Sequence, residues 1–280
     1  MGKSSRRSRD QIVAKRKRQG AEAAQLRAPG PGVDAVLDAI KARHERLNGE
    51  RVPGPDPTSE LAADDTAVMP YLVSGLAQSA IAQASDHLEA FRSLLQDLRV
   101  VHPWAQYTLL RGALENASTA LWLIAPDLPD ERRFRALRLA ARDILDSRNA
   151  QPLHGQKPPS GRTHDERLDE LKTLAAPNRR QEVGARPISY KRIVREAAEA
   201  AGREPDFHEL LWRTLSGLAH GASWASLSSL PRSITETERA DVAGVRFTGS
   251  PDTMLGIARL SMLMLERAEA LWRRRAHLSE

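Results

Sequence analysis

The stretch TMLGIARLSMLML, Thr253–Leu265, decides the fold class of this chain. Apolar side chains occur almost all the way round a helix drawn over it, and such a helix must be covered by other elements on every side. The stretch belongs to a segment that reads as one helix from about Pro251 to Arg275, with proline at the start, where it costs no hydrogen bond. We therefore expect it to be a central helix of a bundle.

The overall composition favours the same fold class. The chain has 280 residues, of which 41% are hydrophobic, 28% charged and only 4% aromatic, while Ala, Leu and Arg abound. Many helix-forming residues and few aromatic or β-branched ones favour helix over sheet. Cysteine is absent, which excludes disulfides and thiolate metal sites and points to the reducing cytoplasm. No apolar run follows the basic N-terminus, so we expect no secretory signal.

Periodicity and proline breaks predict an all-α bundle of about five to seven helices. The long helix over about 69–101 has Leu72, Leu88 and Leu98 among its core positions. Alternation between Ser233 and Thr248 predicts a small β-hairpin before the last helix. The helices of the bundle are expected over about 69–101, 104–125, 129–148, 166–175, 190–201, from Pro205 through the stretch ending at Trp224, and 251–275. A further short helix, over about 33–47, precedes the bundle.

Two regions are expected along the chain. Residues 1–58 form a basic, partly disordered N-terminal extension with one short helix and a proline-rich linker, Gly49–Glu60, and residues 59–280 form the helical bundle. Basic residues crowd the first twenty positions, which attracts polyanions such as RNA. The alternative is a solvated tail that binds nothing in particular. The basic residues are Lys3, Arg6, Arg7, Arg9, Lys15, Arg16, Lys17 and Arg18, opposed by Asp10.

Several common sites are not encoded. The uncharged stretch Thr66–Ser85 is too polar to span a membrane, so no membrane association is expected. The sequence contains no phosphate-binding loop, dinucleotide fingerprint, HExxH or GxSxG motif, and its eight histidines are dispersed. We therefore expect neither a metal nor a cofactor.

Two arginine patterns allow both a structural and a functional interpretation. In LLRGALENASTALW, Arg111 and Glu115 are four residues apart, and form either a polar clamp inside the bundle or part of a pocket wall beside Asn116. A second pattern is a row of arginines at helical spacing, which is either the solvated side of an amphipathic helix or a track for a phosphate backbone. The row comprises Arg135, Arg138 and Arg142.

The segment RTLSGLAHGASW, Arg213–Trp224, carries the candidate site. At about 100° per residue, Ser216 and His220 fall within about 60° of Arg213, whereas the leucines lie on the other side. Glu209 continues the polar stripe. A guanidinium and an imidazole on one face could converge on a phosphate, since the first offers a forked donor and the second can move a proton.

This segment resembles the HEPN superfamily, whose members carry an arginine, four to six residues and then a histidine on a late helix of an all-α bundle. Many members are prokaryotic ribonuclease toxins or defence effectors. The resemblance implies a metal-independent endoribonuclease whose motifs meet across a homodimer, with RNA as substrate and an antitoxin as a further partner. It implies His220 as general acid or base and Arg213 as the group that stabilises phosphate charge. Ser216 would orient the substrate and Glu209 would hold Arg213.

The same residues also allow a structural interpretation. Glu209 and Arg213 can form an i,i+4 ion pair, and His220 can bond a carbonyl near a helix end that Gly221 terminates. The chain would then be a non-enzymatic helical scaffold, or a protein that binds a partner or RNA without cleaving it.

Overall fold

Side-chain caps fix where several helices begin. A computed structural model of the chain describes residues 32–49, 53–154, 161–185, 188–239 and 241–277. Ser59 accepts a hydrogen bond from the Ala62 N–H, and Ser250 accepts one from the Thr253 N–H. Thr163 and Glu166 form a complete capping box. Each bond satisfies a backbone donor that the first helical turn leaves unpaired.

The described residues contain ten α-helices and one antiparallel pair of strands, so the helix count exceeds the five to seven expected. The mainly helical class is confirmed. In chain order the elements are α1 (Val33–Gly49), α2 (Glu60–Val68), α3 (Val73–Arg92), α4 (Ala105–Ile124), α5 (Pro129–His154), α6 (His164–Leu174), α7 (Tyr190–Ala200), α8 (Pro205–Ala219), α9 (Ser223–Ser229), β1 (Arg232–Glu236), β2 (Ala243–Phe247) and α10 (Pro251–Arg275). A π-helical turn, Ser93–Asp97, follows α3, and a 3-10 helix, Pro177–Glu182, follows α6.

The core lies around α4 and α10. Helix α4 packs against α3, α7, α8 and α10, and its side chains from Leu110 to Ile124 are mostly buried. The apolar stretch Thr253–Leu265 is buried at most of its positions, including Met254, Leu260 and Met264. A helix that is apolar on nearly every face has thus taken a central place.

Helix α1 packs onto this core rather than standing apart from it. Its Leu37 and Ile40 side chains are buried, and Arg43 pairs with Glu269 on α10. The linker that follows lies partly outside the described residues, at 50–52, and so does the whole basic segment 1–31.

The region from Met69 to Val101 differs from the single helix expected there. Helix α2 ends at Val68, α3 begins at Val73, and α3 gives way to the π turn at Ser93. A π turn adds a residue to the helical turn and rotates everything after it off the apolar stripe. Leu98 is consequently 64% exposed, and Leu72, just before α3, is 37% exposed. Both core assignments were wrong.

The hairpin and the last helix were located correctly. Strands β1 and β2 pair in antiparallel register, with Ile234 opposite Val245. Among the described residues, no helix combines the length and the apolar character needed to cross a membrane.

Candidate functional site

The position of His220 is set by the way α8 ends. Gly221 adopts a φ of +70°, which lies in the left-handed region that glycine enters without strain. The Ala222 N–H then bonds the Gly217 carbonyl at 2.8 Å, and the Gly221 N–H bonds the Leu218 carbonyl at 3.3 Å. This is a Schellman motif, and it places His220 as the C-cap residue, exposed at the helix end.

Arg213 lies on the exposed side of α8, where it pairs with Glu209. Its Nε donates to Glu209 Oε1 at 2.8 Å, and the second oxygen of Glu209 accepts from Arg195 on α7, also at 2.8 Å. Lys191 on α7 approaches the same carboxylate at 3.5 Å. We call these four residues the Glu209 cluster. Arg213 therefore forms the i,i+4 ion pair that the structural interpretation required.

The charges of the Glu209 cluster stabilise one another. Burial raises the pKa of Glu209, but hydrogen bonds from Arg213 and Arg195 outweigh that effect and leave the pKa below its usual value. Hydrogen bonds that Arg195 donates to Asp206 and Glu209 raise the pKa of Arg195 against an opposing effect of burial. The carboxylate is thus ionised at neutral pH, and it links α7 to α8.

The guanidinium beside His220 is that of Arg111, on α4. Arg111 Nη1 lies 3.2 Å from His220 Nε2. Arginine has no acceptor, so Nε2 must be the acceptor, and the imidazole in this contact is neutral and carries its proton on Nδ1. The imidazole lone pair therefore faces a fixed cation at the surface of the bundle.

Glu115 and Trp212 hold Arg111 in place. Arg111 Nε donates to Glu115 Oε1 at 2.9 Å, and the indole Nε1 of Trp212 donates to the same oxygen at 2.6 Å. Glu115 is buried, whereas Arg111 keeps 21% of its side chain exposed. We call Arg111, Glu115, Trp212 and His220 the His220 cluster. The clamp predicted for Arg111 and Glu115 is present, and it also positions the neighbour of His220.

A second histidine packs against the same helix. The His87 ring on α3 lies 2.6–2.8 Å from where a Cβ on Gly112 would stand, so a side chain at position 112 would require the ring to move. Asn116 also lies on α4. It donates to the Gly112 carbonyl at 2.9 Å and lines a cavity of about 610 Å³ between α3 and α5.

Ser216 is half-buried one turn before His220, and its carbonyl accepts the His220 N–H at 3.1 Å.

The row of arginines on α5 covers aromatic rings instead of forming an open track. The guanidinium of Arg135 lies 4.7 Å from the Trp122 ring, and that of Arg142 lies 4.7 Å from the Tyr190 ring. Arg138 lies over Phe134, and all three side chains are half-buried. Stacking on aromatic faces is a favourable use of arginine in a packed site, and it differs from both interpretations of the row.

A cavity of about 770 Å³ lies between α1, α3 and α10, and His87 is among its lining residues. Within the described residues, no three side chains of His, Asp or Glu are grouped closely enough to hold a metal ion.

Comparisons of the chain with protein-family models, with curated proteins and with solved structures find no match.

Proposed function

We propose that this chain is a HEPN-like, metal-independent endoribonuclease of the cytoplasm, in which His220 acts with Arg111. The observation that carries the proposal is the 3.2 Å contact between an exposed imidazole and a guanidinium that is itself anchored by a buried carboxylate. Such a pair presents a proton acceptor and a fixed positive charge at one point of the surface, which is what phosphodiester cleavage requires.

The chemistry follows from the two groups. A substrate phosphate binds Arg111, whose forked donors suit phosphate oxygens. It takes the Nη1 donor that otherwise bonds His220 Nε2, while Nε remains bonded to Glu115. Nε2 then takes the proton of the ribose 2′-hydroxyl while the 2′-oxygen attacks phosphorus. The bond to the 5′-oxygen breaks, and that oxygen takes a proton from a water molecule. The hydroxide left behind takes the proton from Nε2, which restores both the water and the neutral imidazole. The products are a 2′,3′-cyclic phosphate and a 5′-hydroxyl end, with no net uptake of water.

Arg213 has a different role in this proposal from the one expected. It is 50% exposed and held by Glu209, so it is placed to attract RNA rather than to bond the reacting phosphate. Ser216 lies between Arg213 and His220 on the same helix and orients the substrate. An antitoxin-like protein that covers His220 would silence the enzyme.

The direct test is cleavage of RNA by the purified full chain in EDTA, with the ends of the products identified. We expect His220→Ala and Arg111→Ala to lose about 10²- to 10⁴-fold in rate. Arg213→Ala should lose much less. The matched control is His102→Ala, because His102 is also an exposed histidine and does not belong to the His220 cluster.

Three outcomes would sink the proposal: no cleavage by the wild type, equal cleavage by the wild type and His220→Ala, or products with 5′-phosphate ends. A strong loss in Arg213→Ala together with full activity in Arg111→Ala would restore the pair that the sequence alone suggested.

A second candidate function, a non-enzymatic scaffold that binds a partner or RNA, is favoured by one observation. Every carboxylate of the two clusters is satisfied within the chain: Glu209 by α7 and α8, and Glu115 by α4 and α8. A scaffold predicts that His220→Ala changes thermal stability or partner affinity, and that wild-type protein leaves RNA intact.

A further inference from the structure

The β-hairpin exposes both of its strands. All five residues of β1 are exposed, and Ile234 has 70% of its surface accessible. Within the described residues β1 pairs with β2 alone. A strand edge of this kind presents unpaired N–H and C=O groups, which form a template for another strand.

The hydrogen-bond pattern shows which residues of β1 face outward. The Thr248 N–H bonds the Pro231 carbonyl at 2.9 Å, and the register places Ser233 opposite Arg246. Hydrogen-bonded pairs alternate along an antiparallel ladder. The backbone groups of Ser233 therefore face β2, and those of Arg232, Ile234 and Glu236 face away from it.

The outward residues of β1 are complementary to themselves. Strand β1 reads Arg-Ser-Ile-Thr-Glu. When a second β1 runs antiparallel to it about a two-fold axis at Ile234, each Arg232 lies opposite a Glu236, and Ile234 meets its own copy. These three side chains share one face of the strand because successive residues alternate. Opposite charges directly across an antiparallel pair stabilise it.

Strand β2 lacks this complementarity. It reads Ala-Gly-Val-Arg-Phe, and the same operation about Val245 would bring Arg246 opposite Gly244, since β2 itself contains no carboxylate. Charge pairing thus distinguishes one edge of the hairpin from the other.

The apolar residues of the hairpin lie on the same face as these charges. Ile234 and Val245 are cross-strand neighbours, and Phe247 packs edge-on against Trp104 with ring centroids 6.0 Å apart. Trp104 itself is 42% exposed. A partner strand along β1 would cover Ile234 and extend this apolar surface, which is costly to leave in water.

We propose that a second copy of this chain docks along β1, so that the two hairpins form one continuous antiparallel sheet with its two-fold axis at Ile234. The pairs Arg232–Glu236, Ile234–Ile234 and Glu236–Arg232 are all hydrogen-bonded pairs, which gives about six backbone bonds across the interface. One guanidinium nitrogen of Arg232 bonds the Leu227 carbonyl, and its other nitrogens face Glu236 of the second copy. The interface is small, so the dimer depends on concentration.

The test is sedimentation velocity of the full chain over a range of concentrations. We expect the wild type to shift from monomer to dimer. Ile234→Pro removes an N–H that the hairpin itself does not use, and we expect it to abolish the dimer. Val245→Pro is the matched control, because it removes an outward N–H from β2 and leaves the edge of β1 intact.

Charge reversal gives an independent measurement. R232E and E236R each create like-charge pairs at both ends of the interface, and we expect each to weaken dimerisation about two- to thirtyfold. The double variant R232E/E236R exchanges the charges and should restore wild-type affinity. A wild type that stays monomeric overturns the proposal. So does a dimer broken by Val245→Pro but not by Ile234→Pro, or a double variant no better than the single ones.

Discussion

Two clusters of this molecule each pair an arginine with a buried carboxylate, but the arginine is fully buried in one and partly exposed in the other. In the first, Arg132 on α5 and Asp64 on α2 are both fully buried and bond each other at 2.6 Å. Arg275 on α10 is buried beside them and pairs with Glu60. In the His220 cluster, only the carboxylate is buried, whereas the imidazole is exposed and the guanidinium partly so.

The difference lies in what the guanidinium donors reach. Arg132 donates to the carbonyls of Pro126 and Asp127, and Arg275 donates to that of Ile124, so both satisfy acceptors where α4 ends. These donors are used within the chain. Arg111 instead donates one N–H to His220, a side chain that is exposed to solvent. Burial makes the first cluster structural, and exposure leaves the second accessible to a ligand.

The largest effect is expected at the centre of the buried cluster. Asp64→Asn removes the buried carboxylate that bonds Arg132 and Arg133, and leaves Arg132 only the half-exposed Glu60 at 3.2 Å. Breaking a buried ion pair from one side costs about 3–5 kcal/mol of stability. Urea unfolding measures the loss. Asp130→Asn is the control, because Asp130 faces Arg133 at 3.5 Å from an exposed position and should cost less than about 1 kcal/mol. Equal losses of stability in the two variants would show that burial does not distinguish Asp64 from Asp130.

An intermediate effect is expected at Glu115. Glu115→Ala leaves the Trp212 indole N–H and Arg111 without their acceptor, so we expect a loss of about 1–3 kcal/mol in the free energy of unfolding. Trp212→Phe in the Glu115→Ala background should then cost less than it does in the wild type, because the bond is already gone. Additive losses would mean that the indole bond contributes nothing.

A small effect on stability is expected at Arg111 itself. Arg111→Ala leaves the buried Glu115 with the Trp212 N–H but without its guanidinium, so we expect a loss of about 1–2 kcal/mol. Arg213→Ala removes a half-exposed guanidinium and should cost about 0–1 kcal/mol. Comparing these two variants separates stability from function, because the proposed ribonuclease activity should fall strongly only in Arg111→Ala. If Arg111→Ala destabilises the protein as much as Asp64→Asn does, Arg111 is as important for stability as the buried Arg132.

The smallest effect is a dependence on pH at the Glu209 cluster. The pKa of Glu209 is lowered in the folded chain, so its ion pairs stabilise the protein above the unfolded pKa of about 4.3, and this contribution is lost as pH falls through the lower folded value. Thermal melts between about pH 6 and pH 3 should therefore fall less steeply for Glu209→Gln than for the wild type. Parallel curves would contradict the assigned pKa direction.

Local signals located much of the fold. Pro251 begins α10 and Pro205 begins α8 where expected, and the alternation between Ser233 and Thr248 corresponds to the hairpin. Helices α2 and α9 were missed. Helix α2 is short and runs into the uncharged stretch that was assigned to its successor, and α9 follows the turn at Gly221 within a segment assigned to α8. Short helices depend on packing more than on propensity, which sequence does not display.

In the candidate site, too, the sequence predicted contacts within one helix but not contacts between helices. The helical spacing placed Glu209 beside Arg213, and the structure contains that pair at 2.8 Å. The spacing also placed Arg111 beside Glu115, at 2.9 Å. It could not indicate that His220 meets Arg111, which is 109 positions away in the chain.

The sequence by itself determined the helical class, the faces of the helices and the partners three or four residues apart, because backbone geometry fixes those relations within one helix. Only the tertiary structure decided which arginine approaches His220 and which arginines are buried. Packing of α4 against α8 sets those distances, and helical periodicity carries no information about which helix will lie alongside another.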